Sequence, residues 1–134
     1  MTQEQIVRAV FQAYSDRDRA ALEAMVAEDF LFVSPLDHEI DRDQYFELCW
    51  PNSEEIQSFD LIHMAVSGEV VFVTYEGVGR YGKRFRNTEV HTVRDGKLRR
   101  VEVYFGWDVP HPVPQGEHRN QVAKPTNLVS ADRR

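Results

Sequence analysis

Glu89-Val90-His91-Thr92-Val93-Arg94-Asp95-Gly96-Lys97-Leu98, followed by Val101-Glu102-Val103-Tyr104-Phe105, is the stretch that decides the fold. Two runs rich in β-branched and aromatic residues flank an Asp-Gly pair. Tight hairpin turns need positive φ at their central positions, and Asp-Gly tolerates this better than most dipeptides. Strands are predicted over 84–94 and 97–106, joined at Asp95-Gly96. If that pair forms a two-residue turn, His91 opposes Arg100, Glu89 opposes Glu102, and Tyr104 continues on the same face. Val90, Val101, Val103 and Phe105 then form the other, more apolar face. A bulge would shift the register by one residue and reverse the assignment of faces.

Working outward, Val70 to Val78 reads as a strand, and 56–66 as another ending at Ser67-Gly68. Gly77, Gly79 and Gly82 permit a bend or bulge in a curved sheet. They do not lead into a lysine-bearing helix, so they are not a nucleotide loop. Further upstream the period changes. Ile6, Val7, Val10, Phe11 and Tyr14 recur at helical spacing over 3–15, with Thr2 and Gln5 placed as a capping box. Asp18 caps a second helix over 19–27. Phe30 to Val33 is a short strand stopped at Ser34-Pro35, and 34–40 is expected to be a loop. Asp41, with Gln44, caps a third helix over 42–49 that closes at Trp50-Pro51-Asn52. Three amino-terminal helices followed by four successive strands make an α+β domain with a mostly antiparallel sheet; a doubly wound fold does not have this order.

The chain has 134 residues, enough to bury a core without metals or disulfides, and eight phenylalanines help to supply that core. Sixteen Lys and Arg against 22 Asp and Glu give a formal charge of -6, which argues against a broad nucleic-acid or anionic-membrane surface. A single cysteine, Cys49, excludes an intramolecular disulfide and a thiolate cluster within one chain; near a helix end it is expected to be buried rather than nucleophilic. Met-Thr-Gln-Glu-Gln has no signal-peptide character and no apolar run is long enough to span a bilayer, so a cytoplasmic location is expected. Pro110, Pro112, Pro114 and Pro125 break regular structure after the last strand. A domain over 1–108 is therefore expected, with a proline-rich extension over 109–134 packed on the surface or on a partner subunit.

Three features together resemble the SnoaL-like branch of the nuclear transport factor 2 (NTF2-like) superfamily. They are the opening helical pair leading into Ala27-Glu28-Asp29-Phe30-Leu31-Phe32, then Ser34-Pro35 with its acidic loop, and the 89–105 hairpin; they span roughly 3–106. The resemblance implies a cone-shaped roll in which a strongly curved sheet wraps three helices and leaves a pocket at its open end. It also implies a homodimer through the outer sheet face and a small apolar or ring-containing ligand. Family members include ketosteroid isomerase, polyketide cyclases and dehydratases, so fold membership alone assigns no chemistry.

Against the isomerase pattern the residues depart. Ser34 stands where the resemblance implies an aspartate base, and Phe11 where it implies an oxyanion-stabilising tyrosine. Tyr14 lies one turn further on, and Glu89 falls near the position of the late-strand acid. Ordinary ketosteroid isomerase activity is not expected. Glu89 and His91, two apart on one strand, share a face and can form an acid–base pair for cofactor-independent proton transfer of cyclase, dehydratase or isomerase type. The competing reading puts both on a solvated sheet face, and the domain is then a noncatalytic ligand-binding or interaction module. His38 is a further candidate base at the pocket mouth. Tyr45, Trp50, Phe59, Phe72 and Tyr75 are candidate walls with Phe11, Tyr14 and Ser34, while Arg100 and Tyr104 are candidate substrate contacts. Asp37, His38, Glu39 and Asp41 match no metal motif, and His63, His111 and His118 have no supporting pattern; neither a metal nor a cofactor is expected.

Overall fold

Thr2 Oγ1 accepts the Gln5 backbone N–H at 3.1 Å while the Gln5 side chain accepts the Thr2 N–H at 2.9 Å, so the expected capping box starts helix α1 (Gln3–Asp16). Asp18 accepts from the Ala21 N–H and caps α2 (Arg19–Met25). Asp41 and Gln44 repeat the box at α3 (Arg42–Leu48). Because the third box sits at a sheet-to-helix junction, Asp41→Ala is expected to cost about 1 kcal/mol in urea unfolding. Asn at the same position should restore most of that loss; no loss in the alanine variant would mean the cap is not holding the helix.

The computed structural model describes residues 1–111. Six strands follow or separate the helices: β1 (Val26–Ser34), β2 (Asp37–Asp41), β3 (Ile56–Ser67), β4 (Val70–Gly79), β5 (Arg84–Arg94) and β6 (Lys97–Asp108). A 3-10 turn, Trp50–Glu55, joins α3 to β3. The sheet order is β2-β1-β6-β5-β4-β3, with only β1 and β6 parallel among the paired neighbours. This is the α+β roll expected of the sequence, with three helices on a curved, mostly antiparallel sheet.

Two local expectations change. The segment 34–40 is not all loop: after a tight turn the chain returns as β2 along β1. It is an edge strand with mostly exposed side chains, so the alternating pattern that betrays a half-buried strand is missing. The turn is held by Ser34, whose hydroxyl donates to Asp37 at 2.9 Å and accepts the Leu36 N–H at 3.0 Å. Strand β1 also begins at Val26, so α2 stops two residues early.

The core lies in the hollow of the sheet. Ile6, Val7, Val10 and Phe11 of α1 pack with Leu22, Phe30 and Phe46, and with Val71, Val73, Val93, Leu98 and Val101 of the sheet. Gly77 is needed for a close approach: the Phe85 ring lies where a Cβ would be. Gly106 is tighter still, since its missing Cβ would meet the Arg86 carbonyl. Of the proline-rich extension expected over 109–134, positions from 112 onward, with His118, lie outside the described residues.

Candidate functional site

The register of the 84–108 hairpin is what builds the site. Val93 pairs with Leu98, but Thr92 pairs with Arg100, so Arg99 is an extra residue on β6 and forms a bulge. From there outward His91 faces Val101 and Glu89 faces Val103. The pairing of His91 with Arg100 and Glu89 with Glu102, expected of a regular two-residue hairpin, is therefore corrected. The slip is stabilised at long range: Arg99 reaches Asp29 of β1 at 2.7 Å. Glu89 and His91 alternate with the buried Val93 on the concave side of β5, and the one-residue offset on β6 brings Val101 and Val103 to that side and sends Arg100, Glu102 and Tyr104 to the convex side.

On the concave side a cavity of about 240 Å³ opens between α1 and the sheet. Val10, Phe11 and Tyr14, one face of α1, form one wall. Phe59, Tyr75, Phe85, Val101 and Val103 of the sheet adjoin it, and the lining also includes Phe32, Ser34, Leu36, Asp37, Tyr45, Cys49, Asn52, Ile56, Leu98 and Phe105 with Asn87, Glu89 and His91. Leu36 and Phe105, 81% and 55% exposed, stand at the mouth. Aromatic rings meet edge-on around the hollow: Phe11 and Phe59 centroids are 5.1 Å apart, and Phe59 and Tyr75 5.3 Å.

The polar groups are concentrated on β4 and β5. Tyr75 Oη donates to Glu89 Oε2 at 2.7 Å, and His91 Nε2 lies 2.8 Å from Glu89 Oε1. Asn87 Nδ2 donates to Tyr75 Oη at 3.2 Å, and Asn87 Oδ1 accepts the Gly106 N–H at 3.1 Å. A carboxylate has no hydrogen to give, so when Glu89 is ionised the facing Nε2 carries the proton. His91 is 1% exposed and its Nδ1 has no partner among the described residues. Burial first, and then the neighbouring Glu89 charge, push the Tyr75 phenol far above the ordinary tyrosine range. Tyr75 is thus a fixed hydrogen-bond donor and not a base. Tyr14, raised by burial and then by Cys49 and Glu89, is likewise a donor, and gives its proton to the Cys49 carbonyl at 2.8 Å.

Of the candidate residues, Phe11, Tyr14, Ser34, Tyr45, Phe59, Tyr75, Glu89 and His91 come together on the lining of this cavity. The others do not. Phe72 lies on the convex face, opposite Val90, and is 45% exposed. Arg100 ties Glu39 and Glu102 together there, with Tyr104 bonded to Glu102. His38 is exposed on β2 and outside the cavity, and Trp50 stands behind the wall, edge-on to Tyr14 at 5.6 Å. Sequence reasoning missed Asn87 and Phe85, although both share the odd-numbered face of β5 with Glu89 and His91 and follow once that face is known. Asp37 was read only as part of an acidic loop, yet it lines the mouth. Among the described residues no three metal-ligating side chains cluster, and no helix is long and apolar enough to cross a membrane.

Cys49 also borders the cavity. Burial, and then the charge of Asp37, raise its thiol to about 11. Since only the thiolate reacts, iodoacetamide labelling should be slow at neutral pH and keep climbing about tenfold per pH unit towards pH 11. A rate that levels off near pH 8 would show an ordinary exposed thiol instead.

Comparison with known proteins comes to the same architecture. The family model of the SnoaL-like domain matches residues 7–101. An NTF2-like protein of unknown function from Cytophaga hutchinsonii is similar in structure, with TM-score 0.66 at 20% identity over 79% of this chain and 91% of that one. IdmH of Streptomyces antibioticus, provisionally assigned as a polyketide cyclase, gives 0.65 at 16% identity over 77% and 91%. A de novo designed protein with a curved β-sheet gives 0.68 at 14% identity over 79% and 88%, which shows that this likeness concerns the fold and not the chemistry. No curated protein matches the chain.

Proposed function

The chain belongs to the SnoaL-like domain family, and on that footing we propose that it binds a small, ring-containing apolar molecule in the cone cavity and moves a proton on it without a cofactor. One observation carries this reading: the Glu89 carboxylate, held by Tyr75 and His91, lies on the wall of an otherwise largely apolar hollow. Glu89 takes a proton from the carbon next to a carbonyl. The C–H bond breaks, an O–H bond forms on Glu89, and the electron pair passes to the carbonyl oxygen as an enolate. His91 and Tyr75 hold the carboxylate in place as positioning residues. Asn87, whose amide has a second hydrogen beyond the one given to Tyr75, is a donor on the same wall for the enolate oxygen. Returning the proton from Glu89 to another carbon gives an isomerisation; attack of the enolate carbon on a second carbonyl of the same molecule, whose oxygen then takes the proton back from Glu89, gives ring closure; expulsion of a β-hydroxyl, which leaves as water with that proton, gives a dehydration. The polyketide-cyclase assignment of IdmH concerns the same class of carbonyl chemistry.

The test is deuterium incorporation next to the carbonyl of β-tetralone, followed by NMR in deuterated buffer. The protein should accelerate exchange over buffer alone. Saturable binding without acceleration would leave a noncatalytic binding domain, and absence of binding would reject the pocket reading. We also propose a homodimer through the convex sheet face, supported by the exposure there of Phe72 and Tyr104. Sedimentation at micromolar concentration should give twice the chain mass, and a monomer would refute the dimer.

A further inference from the structure

The cavity lining contains two carboxylates, Asp37 and Glu89, one imidazole, His91, and no lysine or arginine. The nearby cations are committed elsewhere. Arg100 is held on the convex face by Glu39 and Glu102, and Arg42 donates to the Glu23 carbonyl at 2.9 Å. The two acids differ in how far they are satisfied. Glu89 is matched by Tyr75 and His91. Asp37 has a single side-chain partner, the Ser34 hydroxyl, and enters no ion pair among the described residues. It stands at the mouth, beside Leu36, Cys49 and Asn52 on the same lining.

We propose that the cavity takes a ring-containing ligand bearing a protonated amine, with the ammonium at Asp37 in the mouth and the ring in the aromatic hollow behind it. This rests on the reading that the cavity binds a small molecule, and it adds the charge class of that molecule. A partly buried carboxylate with unused acceptor capacity favours a cationic donor, and Phe32 and Tyr45, rings in contact at 5.1 Å on the same lining, offer apolar surface to the ligand ring. An anionic ligand meets the opposite field with no guanidinium or ammonium to receive it. The titrations of the lining agree: after burial, the charge of Asp37 raises the Cys49 thiol, and Glu89 adds to the rise of the Tyr14 and Tyr45 phenols.

The test is calorimetric titration of the full chain with naphthylmethylamine, naphthylmethanol and naphthoic acid, which share a ring system and differ in charge. The amine should bind about tenfold tighter than the alcohol, and the acid weakest. Added salt should weaken only the amine. Asp37→Asn keeps an acceptor for Ser34, and should lower amine affinity about tenfold while leaving the alcohol unchanged. If the alcohol binds but the amine gains nothing, or the acid binds best, the charge assignment is overturned and the pocket reading stands. Equal amine affinity in the wild type and Asp37→Asn likewise removes Asp37 from the role. If none of the three binds, both readings fall.

Discussion

Glu89→Gln should lower protein-catalysed exchange next to the carbonyl of β-tetralone by about a hundredfold to ten-thousandfold, the range general-base removal usually spans. The amide has nearly the shape of the carboxylate but no basic oxygen. Its carbonyl can still accept from Tyr75 Oη, and its NH2 can donate to His91 once the imidazole changes tautomer. Tetralone affinity should therefore stay within about threefold of wild type, because the loss falls on the transition state and not on ground-state binding. Glu89→Leu is the instructive contrast. It leaves the Tyr75 hydroxyl and the His91 N–H facing a hydrocarbon, and each stranded group costs about 1–3 kcal/mol. The leucine variant should thus lose stability as well as exchange, and the glutamine variant exchange alone. Unchanged exchange in Glu89→Gln would remove Glu89 from the chemistry.

Phe30→Ala should be the most damaging single change to the fold. Phe30 is 1% exposed on β1, and its ring meets Tyr45 edge-on at 5.1 Å. Removing it opens a cavity between β1 and α3, which for a buried phenylalanine costs about 3–5 kcal/mol. Small domains are stable by only about 5–15 kcal/mol, so a large part of the reserve goes. Urea unfolding should show the midpoint falling with the slope nearly unchanged. Phe30→Leu, which refills most of the volume, should lose far less. Equal losses in the two variants would mean that the ring geometry, and not the filled volume, carries the energy.

What could be read from the sequence follows from how local each signal is. The caps at Thr2, Asp18 and Asp41 and the turn at Asp95-Gly96 depend on neighbours within four residues, and all four occur as expected. Strand β2 was hidden because an edge strand needs no alternation. The faces of the hairpin were hidden for a deeper reason. Arg99 looks like any other strand residue, and the bulge it forms is stabilised by Asp29, 70 positions away. That one offset decides which β6 side chains share the face of Glu89 and His91: it brings Val101 and Val103 to the hollow and moves Arg100 and Tyr104 off the site. Pocket walls show the same limit. Phe59 and Phe72 are both strand phenylalanines, yet one lines the cavity and the other faces outward: Phe59 lies between two irregularities of β3, whereas Phe72 alternates with the buried Val71 and Val73 of β4. Asp37 reads as a solvated loop acid until β2 folds back and carries it to the mouth.

The most direct measurement is a crystal structure of the chain with β-tetralone bound. The expected result is the ring seated in the concave hollow, with the carbon next to the carbonyl about 3–3.5 Å from a Glu89 carboxylate oxygen, the separation of a reactive contact. Glu89 and His91 turned to the convex face, or the ring bound anywhere but in the cone, would contradict the account.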